Sequence, residues 1–373
     1  MNILVIAANN IGAGFSGGDT IWINLVKHWS KEHKITVLAC WESYITAVFK
    51  TAVEFDVFSP SYVLKNIYSK WSILKNTIYK LKRVVNFVNK KMLVYQTRDM
   101  VISVSDFLPD IIPALMIKIR NPRIRWVAAF YLFAPCPLLA QQVYATDRMR
   151  GLFYWLMQRI TYPLVKHFAD VVLVTGDSDK GRFPRAVVVR GGVDKLGTAN
   201  KNPKYDVLFI GRFHRQKGIL ELLDMWRYVK EALPKARLCM VGDGELYEEA
   251  KKRKDDSVDM PGFVYGEELN KIIMDSEVIV HPATYDSGGM AMVHGMAYGL
   301  PGVCFDLPQL KTYYNNGVIK AEHSGQFVKA IVNLLTNAKL YDSMSHAAKE
   351  DVKKRWLWDT QQKRIWGEIS SLI

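Results

Sequence analysis

Short apolar runs alternate with amphipathic ones along this chain, and the alternation runs twice. Residues 2–8 and 35–39 have the length and β-branched content of buried strands, and a helical pattern at 19–32 lies between them. Strand-like runs at 53–58, 100–104, 125–130 and 171–175 extend the series. After a polar stretch at 197–204 the pattern restarts. Strands are predicted at 206–210, 237–241, 278–281 and 301–305, with helices near 218–233, 246–254, 267–274 and 290–298. Such alternation calls for parallel sheets covered by helices on both faces. A length of 373 residues suits two such domains better than one. The expected organisation is two doubly wound α/β domains, at 1–197 and 205–351, followed by a C-terminal segment at 352–373.

Composition narrows the class further. Apolar residues make up 49% of the chain and charged ones 23%, as in a globular protein with sizeable cores. Cys40, Cys136, Cys239 and Cys304 are scattered singly, which argues against a disulfide framework or a zinc site; no metal is expected. The first residues, Met1-Asn-Ile-Leu-Val-Ile-Ala, lack a basic leader and read as a strand, not a signal peptide. No apolar stretch reaches the ~18 residues of a membrane span. A cytoplasmic protein is expected, with a peripheral position on the cytoplasmic face of the membrane as the variant. Residues 1–199 carry 26 Lys and Arg against 13 Asp and Glu, so nearly all of the net +14 belongs to the first half. A field of that sign favours a phospholipid surface, a pyrophosphate-linked substrate or nucleic acid.

Residues 64–93 form the longest periodic segment of the first half. Ile67, Trp71, Leu74, Ile78, Leu81, Val85, Val88 and Met92 recur at spacings of three and four, while Lys65, Lys70, Lys75, Lys80, Lys82, Arg83, Lys90 and Lys91 occupy other faces. A helix docked on the sheet and a helix lying on a membrane surface both fit this pattern.

Three loops of the second half carry candidate chemistry, since ligands of open parallel sheets bind beyond the carboxyl ends of the strands. Gly211-Arg212-Phe-His-Arg-Gln-Lys217-Gly218 follows a strand directly and places two cations on one glycine-flanked loop, which suits a diphosphate. Gly242-Asp-Gly244 is a tight turn into a helix. Pro282-Ala-Thr-Tyr-Asp286-Ser-Gly288-Gly289-Met290-Ala-Met-Val-His294 combines a turn, small residues and a helix start whose N–H groups can meet an anion or a sugar oxygen.

The order of these loops, with Pro261-Gly-Phe-Val between them and Met-Ala-Tyr-Gly-Leu-Pro301 after them, resembles the donor-binding domain of the retaining glycosyltransferases of family 4. Phe15-Ser-Gly17-Gly18 is similar to that family's N-terminal glycine loop, and Arg190-Gly-Gly-Val-Asp194 to its N-G-V-D element, with Gly191 in place of asparagine. Trp356-Leu-Trp358…Trp366 is similar to its final helix. The resemblance implies a GT-B fold: two facing Rossmann-like domains, the N-terminal one for acceptor and the C-terminal one for donor, with a last helix crossing back. It implies a hexose moved with retention from a nucleotide-sugar, UDP- or GDP-linked, to a membrane-associated or polysaccharide acceptor, with no other cofactor.

Carried onto this chain, the resemblance gives Arg212 and Lys217 the donor pyrophosphate and Asp286 the transferred sugar, these three being the catalytic candidates. Gly211, Gly242, Gly288, Gly289 and Met290 would line the donor with backbone groups, and His294 would meet the nucleotide ribose. Asp286 and His294 stand where the family's E-x7-E pattern has glutamates. Gly17, Gly18, Ser105 and Asp106 are the acceptor-side or phosphate-loop candidates. Two other readings are a catalytically degenerate GT-B nucleotide-binding protein and a nucleic-acid-modifying glucosyltransferase. Against the latter, the bases are mixed with apolar side chains and no DNA-reading motif is present.

Overall fold

A computed structural model describes residues 1–9, 17–58, 72–137, 148–284, 289–310 and 312–373. The chain forms two compact units, Met1–Arg190 with Gln362–Ile373, and Gly191–Gln361. In the first, the strands are β1 (Asn2–Ala7), β2 (Lys34–Ala39), β3 (Glu54–Val57), β4 (Met100–Ser103), β5 (Arg125–Ala129), β6 (Val171–Val174) and β7 (Ala186–Val188). The helices are α1 (Gly17–Trp29), α2 (Trp41–Ala47), α3 (Ser72–Tyr95), α4 (Leu108–Arg120), α5 (Arg148–Phe168) and the short α6 (Asp177–Lys180). The sheet order is β3-β2-β1-β4-β5-β6-β7, and its pairings are parallel.

The second unit repeats the plan with β8 (Tyr205–Ile210), α7 (Ile219–Ala232), β9 (Leu238–Val241), α8 (Tyr247–Arg253), β10 (Val258–Gly262), α9 (Gly266–Met274) and β11 (Ser276–His281). It continues through α10 (Met290–Ala297), β12 (Gly302–Phe305), β13 (Val318–Ala321), α11 (Ser324–Thr336) and α12 (Ala338–Arg355), and the last helix, α13 (Trp358–Leu372), starts in the second unit and ends in the first. Its sheet order, β10-β9-β8-β11-β12-β13, is again parallel. Successive strand residues point to opposite faces. Accordingly Val207, Phe209, Val278 and Val280 join one core, and Leu208, Cys239 and Ile279 the other. This double burial explains why the strands read as continuous apolar runs.

In both sheets the order reverses between the first and fourth strands of the unit, β1/β4 and β8/β11. That reversal opens a crevice at the carboxyl ends where loops diverge. Two doubly wound parallel sheets in succession define the GT-B fold expected from the sequence.

The units divide at Arg190/Gly191, ahead of the 197–204 stretch. That stretch is tied into the second unit by backbone bonds from Gly197 to Ala297, Ala199 to Tyr298 and Asn200 to Met274. At the far end, only Gln362–Ile373 returns to the first unit. There Trp366 packs edge-on to Trp29, with ring centroids 5.1 Å apart, and Arg364 donates to the Val188 carbonyl at 2.8 Å.

The long helix differs from its sequence expectation. Ile67 and Trp71 lie outside the described residues, and the described helix starts at Ser72. The face it buries carries Thr77, Lys80, Val84, Val88 and Tyr95, whereas Ile78 is exposed. Polar partners decide this rotation. Lys80 pairs with Glu42 at 3.2 Å, and the Tyr95 hydroxyl donates to Asp56 at 2.6 Å, so two side chains outside the apolar stripe are drawn inward.

Candidate functional site

The crevice at the β8/β11 reversal gathers the loops singled out in the second half. The β8 loop is stitched to the β9 loop by main-chain bonds: Gly211 N–H to Val241, Phe213 N–H to Asp243, and Leu246 N–H back to Phe213, all within 3.0 Å. Gly242 is what permits this approach. Its φ of +143° disfavours any L side chain, and a Cβ there would overlap the Gly211 carbonyl oxygen. The loop then forms a single 3-10 turn, Arg215–Lys217, capped by His214, whose Nδ1 accepts from Gln216 N–H at 3.3 Å. Because Nδ1 accepts, the proton of the neutral ring sits on Nε2, 3.5 Å from Glu245 Oε1 in the β9 loop. Gly218, with φ of +67°, ends the turn and opens α7; a Cβ there would overlap the Pro282 carbonyl of the β11 loop. Thr284 N–H donates to the Gln216 carbonyl at 3.0 Å and closes the contact from the other side.

Arg212 is exposed and Lys217 half-buried on this stitched loop. Gly289 caps the start of α10, and its carbonyl accepts from the buried Tyr314 hydroxyl at 2.6 Å. His281, at the carboxyl end of β11, is also buried. Met290 opens α10, and His294 follows one turn later, half-buried. Burial holds the His294 imidazole below its ordinary pKa, with Asp194 pulling the other way, so the ring is neutral at pH 7. The room that a side chain at Gly191 would need is filled by Met290: a Cβ there would fall 2.6 Å from its Sδ.

The structure thus ties the loops that carry Gly211, Arg212, Lys217 and Gly242 to one another and to the β11 loop, and places Gly289, Met290 and His294 on the cap and first turns of α10, while Asp286 and Gly288 lie outside the described residues. Sequence reasoning missed Tyr314 and His281, which underlie the Gly289 turn. No local signal could mark Tyr314, since its partner is 25 residues away.

In the first unit, the β1/β4 reversal is built differently. Gly17 and Gly18 open α1, and Phe15 and Ser16 lie outside the described residues. Ser105 donates to Asp110 in the first turn of α4, and Ala8 N–H donates to the same carboxylate at 2.6 Å, tying the β1 end to the β4 loop. Asp106 accepts from Gln158 at 2.7 Å and Tyr154 at 3.3 Å, both on α5. Gln158 also donates to Leu132 and accepts from Ala134 N–H, so it fixes the β5 loop as well. Burial raises the carboxyl of Asp106 to about 6. It raises that of Asp110 to about 7, helped by the nearby Asp106 charge. Asp110 was not among the sequence candidates; an acid in the apolar run Phe107-Leu-Pro-Asp-Ile-Ile was its available signal.

Residues 195–351 match the family described as Glycosyl transferases group 1. An uncharacterized glycosyltransferase of Methanocaldococcus jannaschii is 26% identical over 42% of this chain and 42% of its own length. The GDP-mannose:cellobiosyl-diphosphopolyprenol alpha-mannosyltransferase of Xanthomonas campestris is 25% identical over 55% of this chain and 60% of its own. The chain therefore spans about half the length of the curated relatives it matches. Among solved structures, HepE of Anabaena in complex with UDP-glucose superposes with a TM-score of 0.71, covering 100% of both chains at 15% identity. At that identity the likeness speaks for the fold, and the fold is GT-B.

Proposed function

We propose that this chain is a retaining glycosyltransferase that moves a hexose from a UDP- or GDP-linked donor to a membrane-associated or polysaccharide acceptor. The observation that supports the reading is the junction of the β8, β9 and β11 loops, where main-chain bonds hold the Arg212–Lys217 loop against Asp243 and Thr284. A donor diphosphate is compact and doubly charged, and two cations on one rigid loop meet it without a metal ion as intermediary. Negative charge builds on the departing nucleoside diphosphate in the transition state, so those cations act on turnover as well as on binding. In this reading Gly289 and Met290 turn main-chain groups toward the sugar and phosphate. Asp286 holds a sugar hydroxyl, and His294, as a neutral imidazole, pairs with a ribose hydroxyl. Front-face attack, in which the leaving phosphate takes the acceptor proton, needs no protein base and yields retention. Ser105 and Asp106 stay as acceptor-side candidates. HepE has been captured with UDP-glucose and the Xanthomonas relative is named for GDP-mannose, which supports testing both nucleotides.

The test is calorimetry with UDP, GDP and their hexose conjugates, followed by transfer or hydrolysis assays with NMR readout of the product anomer. Arg212→Ala and Lys217→Ala should each lower turnover by roughly 10²–10³-fold, as removal of a charge-stabilising donor does. No binding of any nucleotide would sink the proposal, and an inverted product would remove the retaining part. A second reading, nucleotide binding without catalysis, is favoured by the desolvated His294 where a glutamate stands in the resembling family. Tight nucleotide binding with no turnover across the panel would select it.

A further inference from the structure

Among the described residues, every exposed large aliphatic side chain belongs to the first unit. Four of them lie on α5. Met149, Leu152, Leu156 and Ile160 are 47%, 37%, 49% and 54% exposed, at spacings of three and four that align them on one face of the helix. The opposite face is the docked one: Met157, Thr161 and Val165 are buried, and Gln158 holds Asp106. Among the described residues, α5 therefore has a second apolar face that is left largely exposed. A contiguous apolar ridge on a protein surface marks a contact.

The charge around the ridge narrows what it meets. No Asp or Glu occurs between Asp147 and Asp170. Arg159 lies over the Trp155 ring at 4.5 Å and Lys166 over Tyr162 at 5.6 Å, so both cations flank the ridge with their stems against aromatic surface. α5 packs on α4, and α4 on α3. On α4, Ile119 is 60% exposed; on α3, Lys75, Lys82, Arg83 and Lys90 are exposed. An apolar ridge with a basic margin, on a helix too polar to span a bilayer, fits the boundary between acyl chains and anionic headgroups.

We infer that the outward face of α5, and not the long α3 helix, is the surface by which the first unit docks on an anionic lipid bilayer, with α3 supplying basic headgroup contacts. The inference deepens the membrane part of the proposed function and rests on it, but it makes no use of the donor crevice. Loss of nucleotide binding would leave it standing.

Flotation of the full chain with phosphatidylcholine vesicles, with and without phosphatidylglycerol, tests it. Wild type should float with the anionic vesicles and not the neutral ones. Leu156→Glu with Ile160→Glu should weaken that binding about ten-fold or more, as loss of inserted apolar area requires. Lys82→Glu with Arg83→Glu should weaken it by a smaller factor and make its loss with salt shallower, because fewer screened headgroup contacts remain. Tyr228→Glu, at an exposed site in the second unit, should have no effect. As a readout that does not depend on a destabilised variant, a polarity-sensitive dye on Leu156→Cys should shift to the blue on anionic vesicles. Flotation unchanged in the Leu156/Ile160 variant, or no dye shift, overturns the inference. So does a wild-type dimer that the same variant dissociates without change in flotation, since the ridge would then belong to a second copy of the chain.

Discussion

The two units reverse strand order at equivalent places, β1/β4 and β8/β11, yet the loops that meet there are held by different chemistry. In the second unit the ties are main-chain hydrogen bonds and close packing at Gly218 and Gly242. In the first they are carboxylates: Asp110 joins Ala8 to Ser105, and Asp106 joins the β4 loop to α5. Main-chain ties do not titrate, and they leave the side chains of the loop to serve a ligand. Buried carboxylates do titrate, so the first crevice couples its loop geometry to pH.

Breaking a main-chain tie should have the largest effect. Gly242→Ala puts a methyl group into the Gly211 carbonyl and a side chain at a φ of +143°, a backbone strain worth ~1–3 kcal/mol before the overlap is counted. Nucleotide affinity measured by calorimetry should fall by about two orders of magnitude, roughly 3 kcal/mol. The first unit's unfolding should not move.

The carboxylate tie gives an intermediate effect with a definite sign. Asp110 titrates near 7 when folded, against an ordinary value of 3.8, so the folded state binds the extra proton in that interval. Its stabilising contribution is present below about pH 4 and is lost as pH rises through about 7; Asp106 adds the same trend up to about 6. Thermal unfolding of the first unit should therefore move down by several degrees between about pH 5 and pH 8. Asp110→Asn, which keeps the shape and can still accept from Ala8 N–H, should flatten that dependence. A midpoint that rises over the same range would contradict the assignment.

His294→Glu is the smallest and most informative change. It restores a carboxylate to the position that carries one in the resembling family. Donor affinity should shift by about ten-fold, near 1.4 kcal/mol, with unequal effects on UDP and GDP conjugates. In the unsubstituted chain the imidazole is held neutral, so affinity should stay level between about pH 6.5 and 8. A titration within that window would place a proton on the ring and break the reading.

Much of this was legible in the residues. Continuous apolar runs of strand length, alternating with helical periodicity, specify doubly wound sheets because only strands buried on both faces can be apolar throughout. Gly218 and Gly242 marked loops that approach one another closely, because only glycine tolerates the backbone angles and contacts found there. Other features depended on partners distant in sequence. The rotation of α3 was set by Glu42 and Asp56, and the α10 entry by Tyr314. The division between units fell at Arg190/Gly191 because 197–204 bonds to Ala297, Tyr298 and Met274.

The α5 ridge shows the same division of labour. Periodicity along a helix reveals that an apolar face exists, since that is a property of spacing alone. Which of two apolar faces is buried depends on what packs against the helix, and for α5 Asp106 and the sheet claim the face that carries Gln158. By itself, then, the sequence determined the two doubly wound sheets and where glycines let the β8, β9 and β11 loops approach, through local pattern and backbone preference. Only the tertiary structure decided which carboxylates are buried, which helix shows apolar surface and what supports the Gly289 turn, because burial and pairing belong to contacts between segments remote in the chain.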